Sequence, residues 1–272
     1  MSSPARRESH YLHGHPTATL RSHSARTAEN SAAYLLGHLK PTDVVLDVGC
    51  GPGSITLGLA RRVPEGRVIG IDAAPPVLDV ARKATAAAGD ERTEFAEGDV
   101  YALDLPDDSV DVVHAHQVLQ HLADPVAALM EMRRVCRPGG LVAVRDADYA
   151  GMFWYPQWPG MDLWRTLYRR LARQAGGEPD AGRHLPSWVR AAGFEDVAIS
   201  TAVWAWTTRE EVTTWARDWS ERVRTDQLGG RAVRLGYASA EQVLEISAAW
   251  LDWAEEPDAM FVVPHVEALA RA

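Results

Sequence analysis

The stretch Val44-Val45-Leu46-Asp47-Val48-Gly49-Cys50-Gly51-Pro52-Gly53 constrains the fold of this chain more than any other. A β-branched apolar run stops at an acidic residue, and a turn with glycine at alternate positions follows at once. An amphipathic segment, Ser54 to Arg62, comes next. That order predicts strand, tight loop and helix, with a loop backbone bare enough for a ligand to lie against it. The same alternation recurs. Apolar runs at Val44–Val48, Arg67–Ile71, Thr93–Ala96, Val110–Ala115 and Leu141–Arg145 are separated by helical patterns, which predicts an α/β fold with a largely parallel sheet covered by helices on both faces. Pro75-Pro76 opens one of those helices and Gly89 closes it. Asp124-Pro125 opens another, which runs to about Arg137 and ends at Arg137-Pro138-Gly139-Gly140.

The second half reads differently. All ten tryptophans lie after residue 150. Asp162–Ala175 and Pro186–Ala192 are expected helices, and the capping boxes Thr208-Arg209-Glu210-Glu211 and Ser239-Ala240-Glu241-Gln242 start two more. Val197–Trp206 and Met260–Pro264 are expected as two further strands, giving seven in all. Before the sheet, a helix is expected from Ala25 to Leu39. The division that follows is a cap over residues 1–39 and a core over 40–149. Helical lid and acceptor-binding insertions occupy 150–190 and 207–256, and the last strands, which complete the sheet, lie in 193–206 and 257–272.

With 37 acidic against 28 basic residues, the net charge is −9. A general nucleic-acid surface is disfavoured, because neutralising phosphates needs clustered Lys and Arg. Cys50 and Cys136 make neither a disulfide framework nor a metal set. No apolar run is long enough to span a membrane, and Met1–His10 lacks a signal-peptide core, so a soluble cytoplasmic protein is expected. The histidines at 13, 15 and 23 have no acidic or cysteine partner at a ligand-like spacing, and no metal is expected.

The positions of the acids narrow the ligand. Asp47 ends strand one. Asp72 ends strand two, where a carboxylate can accept both hydroxyls of a ribose. Gly98-Asp99-Val100 follows strand three, where an acid can accept from an exocyclic amine. All three sit at carboxyl ends of strands, where open α/β sheets bind ligands. The third glycine of a dinucleotide G-x-G-x-x-G would fall at Ser54, a departure from that fingerprint.

Together, Asp47–Gly53, Asp72, Gly98-Asp99-Val100, His116–Leu122 and Arg137-Pro138-Gly139-Gly140 resemble class I S-adenosylmethionine-dependent methyltransferases, in the branch similar to ubiquinone and menaquinone methyltransferases. The resemblance covers roughly residues 40–149. It implies a Rossmann-like, seven-stranded, mainly parallel mixed sheet whose last strand is antiparallel, with an N-terminal cap and an inserted helical lid. It implies S-adenosylmethionine as cofactor and S-adenosylhomocysteine as product. Asp47, Gly49, Cys50, Gly51, Gly53, Asp72, Ala73, Gly98, Asp99, Val100, His116 and Gln117 are then expected to contact the cofactor, and Tyr11, His23 and Arg26 to close over it. Cys50 is expected to fill space in the loop, not to act as a nucleophile.

Methyl transfer from a sulfonium needs a base only when the acceptor carries a proton at reaction pH. His116 and His121, flanking the end of strand four, are the candidates for that role. His114, pointing to the other face, is expected to pack against a helix. Asp146, Tyr149 and Trp154 follow strand five, where the acceptor pocket is expected, and Arg183-His184 could hold an acceptor carboxylate. The aromatic second half suggests an aromatic or quinone-like acceptor. A carboxylate or amine acceptor on a metabolite or modified peptide, and a cofactor-binding protein without turnover, stay open. So does the choice between monomer and homodimer.

Overall fold

A computed structural model describes residues 26–272. Two helical turns, α1 (Ala28–Ser31) and α2 (Ala33–Leu36), lead into β1 (Val44–Val48). The expected continuous helix is broken at Ala32, whose φ of −133° lies outside the helical range. Then follow α3 (Ser54–Ala60), β2 (Arg67–Asp72), α4 (Pro75–Ala87), β3 (Thr93–Glu97), β4 (Val110–His116), α5 (Pro125–Val135) and β5 (Cys136–Ala147). The second half adds β6 (Phe153–Tyr155), α6 (Pro159–Gln174), α7 (Ala181–Ala191), β7 (Val197–Trp206), α8 (Arg209–Val223), α9 (Arg231–Arg234), α10 (Ala240–Ala254) and β8 (Met260–Arg271).

The strands form one mixed sheet in the order β3-β2-β1-β4-β5-β8-β6, with β7 also paired to β8. Strands β1 to β5 run parallel, and β8 is antiparallel to β5, β6 and β7. There are eight strands, not seven, because the short β6 pairs with the first residues of β8. β8 also runs through Pro264, where sequence alone stops it. Proline lacks an N–H, but its carbonyl points toward the gap between β6 and β5 and accepts from the Asp148 N–H at 3.0 Å. No ladder donor is needed on that side, so the strand continues to Arg271. α7 begins at Ala181, placing Pro186 inside it rather than at its start.

Local signals account for many element boundaries. Asp124 caps α5 through Ala127 N, and Thr208 and Ser239 form full capping boxes with Glu211 and Gln242. Apolar residues from both faces of the sheet build two clusters, one around Leu46, Val113 and Val144, the other around Val45, Leu59 and Val68. The third cluster is aromatic. Trp164 meets Trp219 at 4.6 Å and Trp250 at 4.8 Å, both edge-on, and α6, α8 and α10 close around them. Edge-on pairs of this kind add about 0.5–1.5 kcal/mol each beyond their area. Among the described residues, no helix is long and apolar enough to cross a membrane.

Candidate active site

The carboxyl ends of β1, β2 and β4 open onto a cavity of about 2040 Å³. A single small-molecule site typically occupies about 300–1,000 Å³, so two ligands can lie here side by side. At one end stand the glycine loop, Asp72-Ala73 and Gly98-Asp99-Val100. At the other stand Tyr149, Met152 and tryptophans from β7 and α8.

In the loop, Gly49 has φ +65°, and a Cβ there would sit 2.5 Å from Val118 Cγ2. Gly49, Cys50 and Gly51 line the cavity. Gly53 does not, contrary to expectation. A Cβ on it would lie 2.9 Å from Ala81 and 3.1 Å from Phe95, so this glycine lets α3 approach α4 and β3. Burial pushes the Cys50 thiol up, leaving it an inert loop residue.

The three acids divide their work. Asp47 is buried, with Oδ1 2.8 Å from His114 Nδ1 and Oδ2 accepting from Thr56 Oγ1 at 2.6 Å. His114 therefore partners the carboxylate directly, where sequence places it against a helix. The parallel register of β1 and β4 sets Asp47 opposite His114. Asp72 ties two loops together, accepting from Gly51 N at 3.0 Å and Ala74 N at 2.9 Å. Asp99 accepts from Tyr101 N at 3.0 Å and faces the cavity beside Val100.

At the end of β4 the backbone turns through Gln117, a non-glycine residue at φ +54°. Its amide oxygen accepts from Arg26 at 2.9 Å, and its amide nitrogen donates to His265 Nε2 at 2.8 Å. His265 in turn donates from Nδ1 to the Val263 carbonyl. Beside it, His116 is buried, its ring 5.3 Å from Trp204, and neither ring nitrogen has a hydrogen-bond partner among the described residues. Burial, then the charges of Arg26 and Arg145, hold its pKa well below the ordinary value. His121 also lines the cavity, and burial with Arg26 takes it down to about 3. Both imidazoles are neutral near pH 7.

Several expected acceptor contacts lie elsewhere. Asp146 is fully buried outside the cavity wall, braces Gln120 N at 3.1 Å, and is raised by burial to about 8. Trp154 stacks on Phe261 in the aromatic core. Arg183 forms a two-pronged ion pair with Asp148, at 2.6 and 2.7 Å, and His184 stacks on Trp188; neither lines the cavity. Tyr149 does line it, stacked on Tyr168 at 4.3 Å. Arg26 lines it with its guanidinium 5.5 Å over Trp204. Tyr11 and His23 lie outside the described residues. Among the described residues no group of His, Cys, Asp and Glu has the arrangement to hold a metal.

The sequence reading expects acceptor-binding segments at 150–190 and 207–256 but singles out none of the residues that form one wall of the cavity. Glu211, Thr214, Trp215, Asp218, Trp219 and Arg222 form one stripe of α8 facing the cavity, with Trp204 and Trp206 opposite on β7. The helical spacing of that stripe, counted from the Thr208 cap, is the signal that could have found it.

The family described as methyltransferase domain matches residues 46–144. Over 261 residues the chain is 36% identical to an uncharacterized methyltransferase of Schizosaccharomyces pombe, covering 93% of this chain and 92% of that one. It is 35% identical over 283 residues to a probable methyltransferase of Aspergillus luteorubrus, covering 96% of each. Among solved structures, the YcgJ protein of Bacillus subtilis superposes with a TM-score of 0.60 at 17% identity, over 89% of this chain and 98% of that one.

Proposed function

Because this chain belongs to the class I S-adenosylmethionine-dependent methyltransferases, we propose that it methylates a small aromatic or quinone-like acceptor, on oxygen or carbon, by in-line displacement. The observation that carries this reading is the wall of Trp204, Trp206, Trp215, Trp219 and Tyr149, which shares one cavity with the glycine loop. Bound S-adenosylmethionine supplies a methyl group already activated on a positively charged sulfur.

The donors and acceptors at the loop end suit that cofactor. Its ammonium, ribose hydroxyls and exocyclic amine are all donors. Asp47 shapes the loop, Gly49–Gly51 offer backbone groups to the amino-acid end, Asp72 takes the ribose, and Asp99 takes the amine with Val100 against the ring. Residues 150–190 and 207–256 then act as the acceptor-binding layer.

The acceptor ring lies flat against tryptophan faces, so its nucleophilic atom can be held about 3–3.5 Å from the methyl carbon. His116 is better suited to hydrogen bonding than to taking a proton outright. A neutral ring with both nitrogens open can give one N–H and accept at the other. His121, at about 3, is too weak a base to hold a proton from a phenol.

The test is S-adenosylhomocysteine release across a panel of naphthols, hydroquinones, aliphatic carboxylates and amines. Turnover is expected with the aromatic alcohols. Trp215→Ala should cut kcat/KM by about tenfold or more, equivalent to ~1.4 kcal/mol, with cofactor affinity unchanged. Turnover confined to aliphatic carboxylates or amines would overturn the reading.

A further inference from the structure

A chain of hydrogen bonds crosses the site in a sense that its two ends dictate. Arg26 Nη2 donates to Gln117 Oε1 at 2.9 Å, Gln117 Nε2 lies 2.8 Å from His265 Nε2, and His265 Nδ1 lies 3.1 Å from the Val263 carbonyl oxygen. A guanidinium only donates, so it takes the amide oxygen and turns the amide NH2 toward His265. A carbonyl only accepts, so Nδ1 carries the ring proton and Nε2 keeps a lone pair. Both ends demand the same arrangement. Burial, then the charges of Arg145 and Arg26, hold the His265 pKa well below its ordinary value and leave that lone pair unprotonated near pH 7.

This relay joins the two ends of the cavity. Gln117 lines the cavity at φ +54°, a conformation that a non-glycine residue keeps only when its surroundings hold it. Arg26, bound to the Gln117 amide, lies 5.5 Å over Trp204, and the Trp204 indole N–H donates to the Asn30 carbonyl at 2.8 Å. His265 packs on the same indole at 4.5 Å. Trp204 is thus gripped between the Arg26–Asn30 segment and β8. His265 itself is fully buried and is not on the cavity wall, so whatever it does for a ligand passes through Gln117 and Trp204. Packing on Trp204 needs only a flat ring; the hydrogen bond to Gln117 needs the imidazole nitrogen.

We infer that His265 is a positioning residue for methyl transfer: its Nε2 lone pair orients the Gln117 amide, which seats Arg26 against Trp204 and so fixes that part of the acceptor wall relative to the cofactor end. The inference rests on the aromatic-acceptor reading and deepens it, by naming a residue off the wall that governs how the acceptor fits. His116 stacks on His265 from β4 at 6.1 Å but shares no hydrogen bond with it, and stands outside the relay.

Two measurements on the full chain test it. Nitrogen NMR of histidine-labelled protein should show the His265 proton on Nδ1 in the unmutated chain. Gln117→Glu sets a carboxylate oxygen opposite the lone pair and should bring a proton onto Nε2, against the opposing charges of Arg26 and of Arg145 from β5 and beside the neutral His116 ring. Kinetics with 2-naphthol then read the consequence. His265→Phe keeps a ring on Trp204 but loses the acceptor nitrogen, and should raise the KM for 2-naphthol about fivefold, the scale of one lost hydrogen bond, with kcat little changed. His265→Gln, whose amide oxygen can accept where Nε2 does, should recover most of that loss; a purely structural role would give it no such advantage. A proton on Nε2 in the unmutated chain, or a KM unmoved by His265→Phe, would overturn the inference. No turnover of 2-naphthol by the unmutated chain would instead strike the aromatic-acceptor reading, and the role of His265 with it.

Discussion

His114 Nδ1 lies 2.8 Å from Asp47 Oδ1, in a pair with almost no solvent exposure. With Thr56 on the other oxygen, Asp47 is braced from the core side while its strand end carries the glycine loop. The pair converts a strand-end acid into a fixed support for a ligand loop. His114→Phe leaves a buried carboxylate short of a partner and should cost about 1–3 kcal/mol of stability, read by urea denaturation. S-adenosylmethionine binding should weaken with it, whereas a role confined to core packing would leave affinity intact once folding is corrected for.

Gly49 meets two constraints at once, a positive φ and the closeness of Val118. Gly49→Ala should reduce cofactor affinity by at least tenfold in calorimetry. Adding Val118→Ala removes the clash but not the φ strain, so the double variant should recover part of the loss.

Asp72 is expected to act twice, through the loops it ties and through the ribose. Asp72→Ala should weaken cofactor binding by about 1–3 kcal/mol. Asp72→Asn keeps an acceptor oxygen for one of the two backbone contacts and should lie between Asp72→Ala and the unmutated chain. An affinity unchanged in both variants would remove Asp72 from the site.

Stability should depend on pH from two directions. His116, His121 and His265 are held below their ordinary 6.5, so below that pH the unfolded chain binds protons the folded chain refuses. Stability should therefore fall as pH drops below 6.5, and for His121 on toward about 3. Asp146 has the opposite sign. Raised from 3.8 to about 8, it keeps a proton in the folded state that the unfolded state releases, so its contribution is lost as pH rises through that window. Thermal midpoints measured at several pH values check both. Asp146→Asn should gain on the unmutated chain as pH rises toward 8, and His121→Gln should flatten the acid limb.

The loop end of the site is legible in sequence because its signals are local. Positive-φ glycines, a strand-end acid and a proline-capped helix each act within a few residues. The acceptor end depends on pairing and packing. Trp204 and Trp206 face the cavity because β7 lies along β8 in one register, and Trp215 and Trp219 line it while Trp219 also packs in the core. Composition alone does not separate those roles. Asp146 has the same local look as Asp72, an acid near the end of a strand, but Gln120 closes over it. Arg183 looks like a free anion site until the chain brings Asp148 to it across 35 positions. Pro264 looks like a strand stop, and only its place between two partner strands lets β8 run on.

The tryptophan chamber is expected to present an aromatic acceptor to S-adenosylmethionine. The most direct measurement follows a labelled methyl group from S-adenosylmethionine into an aromatic acceptor such as 2-naphthol, comparing the unmutated chain with Trp215→Ala and Trp219→Ala. Label should appear in the product with the unmutated chain, and either variant should lose about tenfold or more in kcat/KM with cofactor affinity retained. Label that appears only in aliphatic carboxylates or amines, or transfer to 2-naphthol indifferent to both tryptophans, would contradict it.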